Sequence, residues 1–208
     1  MIRTSAILFF SALVALTGCG KSEDTGSGAG AGTGGGGGAA DSLFAQSDTP
    51  DNLKGLLDTI VKSAEAGDHK KAAALTRALI PDRDALAKAL KDGAPSAFVD
   101  EAVAQAKAFP AEDTQVSGLI NRGAPDRTQV NVHGATTEEI AEYKKGSVPF
   151  SEFPGGAQKL AQQVLRPGVR FYEVEFVVPG EDAGMKYHMF FFDGKTWRML
   201  GPAWRGLK

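Results

Sequence analysis

Three segments near the C terminus decide the fold: FYEVEFVV (residues 171–178), MKYHMFFF (residues 185–192) and TWRML (residues 196–200). Aromatic and β-branched residues dominate them, and such residues favour strands. The connections are short: residues 179–184 form the first, and Asp193-Gly194-Lys195 suits a three-residue hairpin with glycine in the left-handed position. The sequence therefore predicts an antiparallel sheet.

The turn lengths predict a register in which Val178 lies opposite Met185 and Phe192 opposite Thr196. Because side chains alternate between the two faces of a strand, one face then holds a mainly apolar set that helices should cover: Tyr172, Val174, Phe176, Tyr187, Met189, Phe191, Trp197 and Met199. The other face holds a mixed set: Glu173, Glu175, Lys186, His188, Arg198, Phe190 and Phe192.

The mixed face contains the candidate binding residues. This register places Glu175 directly across from His188, with Arg198 one strand further over. A carboxylate beside an imidazole can act as an acid–base pair or orient a bound ligand. The alternative is a half-solvated face with cross-strand ion pairs, although two phenylalanines among the charges point to a cavity or a covered surface.

Helical patterns fill the first half of the chain. Apolar residues from Leu53 to Ala64 recur at helical spacing, with Thr49-Pro50 as a start signal. Asp68 can cap a second helix, Asp82 or Asp84 a third, and Pro95 opens a fourth. Residues 114–120 and 128–133 look like strands, and residues 136–144 and 156–165 like helices, the first with a capping box at Thr136 and Glu139. The predicted fold class is α+β, with amphipathic helices packed on a curved antiparallel sheet.

The helices, followed by strands that end in Asp193-Gly194-Lys195-Thr196-Trp197-Arg198-Met199-Leu200, resemble the nuclear-transport-factor-two-like superfamily. The likeness covers roughly residues 50–80 and 170–200 and implies a cone-like fold. That superfamily includes enzymes, ligand carriers and interaction modules, so the resemblance alone implies no single activity. The segment from Phe171 to Arg205 also resembles lipoproteins of environmental bacteria.

The N terminus has the features of an export signal. One basic residue, Arg3, precedes an apolar run at residues 6–16 that is too short to span a bilayer. Leu16-Thr17-Gly18-Cys19 resembles the lipobox of bacterial lipoproteins, which implies a diacylglyceryl group on the Cys19 sulfur, cleavage after Gly18 and acylation, for example with palmitate, of the new amino terminus. An ordinary signal peptide that contains a cysteine is the alternative. Cys19 is the only cysteine in the sequence. In the bacterial lipoproteins that this motif resembles, an aspartate after the cysteine tends to retain the protein at the inner membrane, so the resemblance implies that Gly20 favours the outer membrane.

Three regions are therefore expected: a signal peptide (1–18), a lipidated cysteine with a disordered glycine-rich tether (19–40), and one α+β domain (41–208). Without the signal peptide, 22 basic residues stand against 25 acidic ones, so nothing suggests nucleic acid as a partner. Three scattered histidines and no phosphate-binding loop predict neither a metal nor another cofactor.

Two functional hypotheses follow. The first is a lipid-anchored cell-envelope protein whose domain is a noncatalytic module for a small molecule or an envelope protein. The second is a small-pocket isomerase or hydrolase in which His188 and Glu175 form the acid–base pair. The second requires these side chains to line an enclosed cavity.

Overall fold

The computed structural model describes residues 47–207, except for the side chains at positions 105–107. These residues form an α+β fold with eight α-helices and one open, four-stranded antiparallel sheet, which confirms the predicted fold class. The predicted signal peptide, Cys19 and the glycine-rich tether lie outside the described residues.

Five helices precede the sheet: α1 (Pro50–Glu65), α2 (His69–Ala78), α3 (Arg83–Ala89), α4 (Ser96–Lys107) and α5 (Asp113–Ser117). The predicted start signals are confirmed. Thr49, Asp68 and Asp82 each accept a hydrogen bond from a backbone amide in the first turn of α1, α2 and α3, which satisfies donors that a helix leaves unpaired.

The predicted strand at residues 114–120 is wrong, because Asp113–Ser117 is the short helix α5. Alternating apolar residues suggested a strand, but this segment packs against α2 and not along a sheet edge. A single helical turn there buries both Val116 and Ser117. Tertiary packing has overridden a short local pattern.

The strands are β1 (Gln129–Thr136), β2 (Arg170–Val177), β3 (Met185–Phe192) and β4 (Trp197–Met199), and their order in the sheet is their order in the chain. Three helices link β1 to β2: α6 (Thr137–Glu142), α7 (Val148–Glu152) and α8 (Gly155–Gln163). The capping box at Thr136 and Glu139 is confirmed. A short 3₁₀ helix, Ala203–Gly206, follows β4.

Helices cover both faces of the sheet, whereas the sequence predicted one covered face. The α1–α2 core lies on one face and includes Leu53, Leu57, Ile60, Leu75, Val174, Phe176, Phe190 and Trp197. The α3–α8 core lies on the other face and includes Leu86, Leu90, Ile140, Leu160, Phe171, Met189 and Phe191. The face that carries the charged residues is therefore also part of the protein interior.

The predicted strand register is wrong at both hairpins. Met185 lies opposite Phe176, two residues from its predicted partner Val178, and Phe192 lies opposite Trp197 in place of Thr196. In the second hairpin the Asp193 carboxylate accepts hydrogen bonds from the backbone amides of Lys195 and Thr196, so Thr196 belongs to the turn.

A β-bulge between Tyr172 and Val174 places both His188 and Met189 opposite Glu173. Met189 has a positive φ of 60°, which is uncommon for a side chain other than glycine. The extra residue reverses the alternation beyond it. Four residues therefore lie on the face opposite to the one predicted: Met189 and Phe191 join the charged face, and Phe190 and Phe192 join the α1–α2 core.

Candidate functional site

His188 pairs with Glu173, and not with Glu175 as the sequence predicted. The His188 Nδ1 and Glu173 Oε2 atoms lie 2.5 Å apart, and the second carboxylate oxygen accepts a hydrogen bond of 3.1 Å from the Met189 amide. The bulge causes this arrangement, because it leaves two residues of β3 facing one residue of β2. One carboxylate thereby binds both the imidazole and the amide that the bulge removes from the ladder.

The Glu173 carboxylate is buried in the protein. Its side chain is 2% exposed and the His188 side chain 27% exposed. Burial raises the pKa of Glu173 above its ordinary value, although the hydrogen bond and the charge of His188 act in the opposite direction. This glutamate is therefore easier to protonate than a surface carboxylate.

Trp204 closes the outer side of the imidazole. Its ring packs edge-on against His188 with centroids 5.4 Å apart and planes at 72°. Gly156, in the first turn of α8, allows this approach, since a Cβ atom at that position would overlap the indole ring. Trp204 is thus a partly buried member of the α3–α8 core.

Tyr143 interacts electrostatically with Glu173. Burial raises the pKa of its phenol, and the negative charge of Glu173 raises it further. The phenol donates a hydrogen bond of 2.7 Å to the Phe153 carbonyl, so the hydroxyl is already engaged. Glu173 is thus almost fully buried and His188 half-buried, and the contacts of both are made by residues of the protein itself.

Glu175 has a different set of contacts. Its side chain is 7% exposed, one oxygen accepts a 2.8 Å hydrogen bond from the Gly184 amide, and the other lies 3.6 Å from the Lys186 Nζ atom. Lys186 also binds Glu152 at 3.2 Å, and His133 lies 3.8 Å from the same carboxylate. This network fastens α7 and the β2–β3 turn to the sheet.

Arg198, the third candidate, belongs to a separate cluster. Its guanidinium donates to the carbonyls of Ala78 and Ile80, at 2.9 and 3.0 Å, and to Asp193 at 2.8 Å. It therefore holds the C-terminal end of α2 against β4 and the Asp193 turn. The structure brings neither Glu175 nor His188 into contact with this group.

Space for a small molecule lies elsewhere. A cavity of about 190 Å³ lies between the C-terminal end of α2, α4 and the segment that follows β4. Its lining is mainly apolar and includes Leu79, Phe98, Ala102, Phe109, Leu200 and Pro202. Glu175, His188 and Arg198 line neither this cavity nor a second one of about 180 Å³ beside Arg166.

Two polar residues of the apolar cavity were missed by sequence reasoning. Thr76 is 2% exposed and its hydroxyl has no hydrogen-bond partner among the described residues; Glu101 is the one titratable residue in the lining described. A polar residue in the buried stripe of α2, between Ala72 and Leu79, was the available signal. Helical spacing alone does not reveal that the stripe borders a cavity.

Within residues 47–207, no group of three or more histidine, cysteine or acidic side chains is arranged to hold a metal ion. In that same part of the chain, no helix is both long and apolar enough to cross a membrane. Comparison with protein-family models, with curated protein sequences and with solved structures gave no match.

Proposed function

We propose that this chain is a lipid-anchored protein of the cell envelope whose domain is a noncatalytic binding module. The observation that carries the proposal is a separation in space: His188 and Glu173 form their pair on the sheet, whereas the apolar cavity is lined by neither residue and contains no such pair. Binding needs a cavity of suitable shape, but acid–base catalysis needs titratable groups within reach of the bound molecule.

The contacts of Glu173 support a structural role. Both carboxylate oxygens are engaged, one by His188 and one by the Met189 amide, and Trp204 packs on the imidazole. The bulge leaves the Met189 amide without a partner in the ladder, and the Glu173 carboxylate accepts its hydrogen bond. The carboxylate is therefore needed for the geometry of the strand. The partner in binding would be a small molecule or an envelope protein, with no nucleic acid.

The anchor is proposed from the sequence around Cys19. A diacylglyceryl group together with a fatty acid on the amino terminus gives stable membrane attachment, which a single chain does not. The tether at residues 19–40 would hold the domain away from the lipid surface, with the outer membrane favoured over the inner one.

Labelling cells with a palmitate analogue tests the anchor. We expect the wild-type chain to carry the label and to sediment with membranes, and Cys19→Ser to lose both properties. The matched control is the double variant Cys19→Ser/Ser42→Cys, which keeps one thiol but places it outside the lipobox. Label on that double variant, or on Cys19→Ser, would reject lipidation at Cys19.

A second function, a small-pocket isomerase or hydrolase, is favoured by one observation: the 2.5 Å contact between His188 and Glu173. A histidine held by a carboxylate at one ring nitrogen can act as a base through the other. The test is a screen of the purified chain against activated esters and enolisable ketones, beside His188→Gln. Turnover that His188→Gln abolishes, while the circular dichroism spectrum is retained, would replace the binding proposal with the enzymatic one.

A further inference from the structure

The apolar cavity is enclosed by three parts of the chain that Arg198 and the strand edge hold together. The Met199 amide donates a 2.8 Å hydrogen bond to the Leu79 carbonyl, and Arg198 donates to the carbonyls of Ala78, the last residue of α2, and of Ile80 just beyond it. Helix α4 contributes Phe98 and Ala102, and the segment after β4 contributes Leu200 and Pro202. The cavity walls are thus fixed by a backbone hydrogen bond and by the half-buried guanidinium of Arg198.

The size of the cavity limits the ligand. An apolar cavity of about 150 Å³ engineered in another protein binds benzene. The cavity here, of about 190 Å³, therefore has room for one aromatic ring with a short substituent. A nucleotide or a whole long acyl chain does not fit within this volume.

The two polar residues of the lining limit its chemistry. Thr76 has a buried hydroxyl that no described residue satisfies, and such groups in native structures call for a partner. Threonine in a helix populates two χ1 rotamers, so a rotation of this one side chain can bring the hydroxyl to a ligand. The negative charge of Glu101 disfavours an anion. This glutamate is exposed to solvent, and the rest of the lining is mainly apolar and contains no other charged side chain, so a charge buried there would lose its hydration without compensation.

We propose that the cavity between α2, α4 and the segment after β4 is a binding site for a small, uncharged, mainly aromatic molecule that carries one hydroxyl or carbonyl group. The Thr76 hydroxyl bonds that polar group, and Leu79, Phe98 and Leu200 surround the ring. This inference rests on the proposed binding function and gives it a ligand class.

The experiment is a titration followed by amide chemical shifts, with three probes of one size: toluene, benzyl alcohol and benzoate. The full chain carries Cys19→Ser, so that the protein has no lipid at that position and needs no detergent in the titration. We expect saturable shifts for toluene and benzyl alcohol, confined to Thr76, Ala102, Leu200 and their neighbours. Benzoate should bind at least about tenfold more weakly than benzyl alcohol, because a buried carboxylate has no compensating charge.

Two variants locate the site. Ala102→Leu fills the cavity and should abolish binding of toluene and benzyl alcohol, whereas Ala104→Leu, an exposed position on the same helix, should leave it unchanged. Thr76→Val removes the hydroxyl with little change of shape. It should weaken benzyl alcohol about threefold to tenfold, as expected for one lost hydrogen bond, and leave toluene unaffected.

Shifts that are absent for both uncharged probes, or that persist in Ala102→Leu, would overturn the site. Equal weakening of toluene and benzyl alcohol by Thr76→Val, no weakening of benzyl alcohol, or benzoate binding as tight as that of benzyl alcohol would overturn the ligand class. These results are independent of palmitate labelling at Cys19 and of turnover through His188. Failure of the ligand proposal is thus distinguishable from failure of the proposed function.

Discussion

The Glu173 carboxylate should be the most sensitive polar group in the sheet. Glu173→Ala removes the acceptor of the Met189 amide and the partner of His188 together. Breaking one side of a buried pair costs about 3–5 kcal/mol. Because His188 retains some access to water, we expect the lower end, about 3 kcal/mol of the free energy of unfolding.

Urea unfolding monitored by circular dichroism measures this loss. With a slope of about 2 kcal/mol per molar, the midpoint should fall by roughly 1.5 M. Glu173→Gln keeps an acceptor for the Met189 amide and gains a donor for His188, so it should lie within about 1 kcal/mol of wild type. Glu181→Gln, at an exposed turn position, is the control for a lost charge. A midpoint for Glu173→Ala within experimental error of wild type would refute the role assigned to the carboxylate.

The pH dependence provides a second measure of the same group. Since burial raises the folded-state pKa of Glu173 above 4.5, the folded chain keeps a proton that the unfolded chain has released. The resulting stability is complete below pH 4.5 and is lost as the pH rises through the raised pKa, with a slope of at most about 1.4 kcal/mol per pH unit. Glu173→Gln lacks this dependence, so its stability relative to wild type should rise with pH. Parallel curves for the two proteins would contradict the shift.

Three further outcomes are expected. Arg198→Lys should lower the free energy of unfolding by about 2 kcal/mol in urea titrations, because an ammonium cannot reproduce the planar set of hydrogen bonds to α2 and Asp193. A change near zero would contradict the role of Arg198 in holding α2 against the Asp193 turn. Burial acts to raise the pKa of Asp193, but hydrogen bonds from Arg198 and from the turn amides lower it overall. The free energy of unfolding of wild type should therefore exceed that of Asp193→Asn above pH 3.8, and the difference should disappear as the pH falls further. Unfolding measured from pH 2 to 7 would show this. Gly156→Ala should displace the Trp204 ring from His188 and shift tryptophan emission to the red, and an unchanged spectrum would contradict the close approach.

The helical half of the domain was predictable because its signals are local. Thr49, Asp68 and Asp82 begin helices by accepting hydrogen bonds from amides three residues away, and the capping box at Thr136 acts over the same distance. Interactions between residues three positions apart can be recognised from a short stretch of sequence. The fold class followed from these signals together with the strand patterns.

The candidate site was predicted only in part. Glu175, His188 and Arg198 were correctly assigned to one face, but the pairing of His188 with Glu175 was wrong. A bulge of one residue changes which carboxylate faces the imidazole, and no residue type near Met189 signals it. Local patterns also did not show that α8 and the residues after β4 cover that face, because this depends on how distant segments pack on the sheet.

The sequence by itself determined the α+β class and the starts of the main helices, and it is also the basis of the proposed anchor at Cys19. Only the tertiary structure decided the bulge, the burial of the Glu173–His188 pair and the position of the cavity beside Thr76. The physical reason is the separation along the chain of the residues that interact. Caps and periodicities are set by neighbours in the chain, whereas registers, ion pairs and cavities are set by residues that meet only when distant segments pack together.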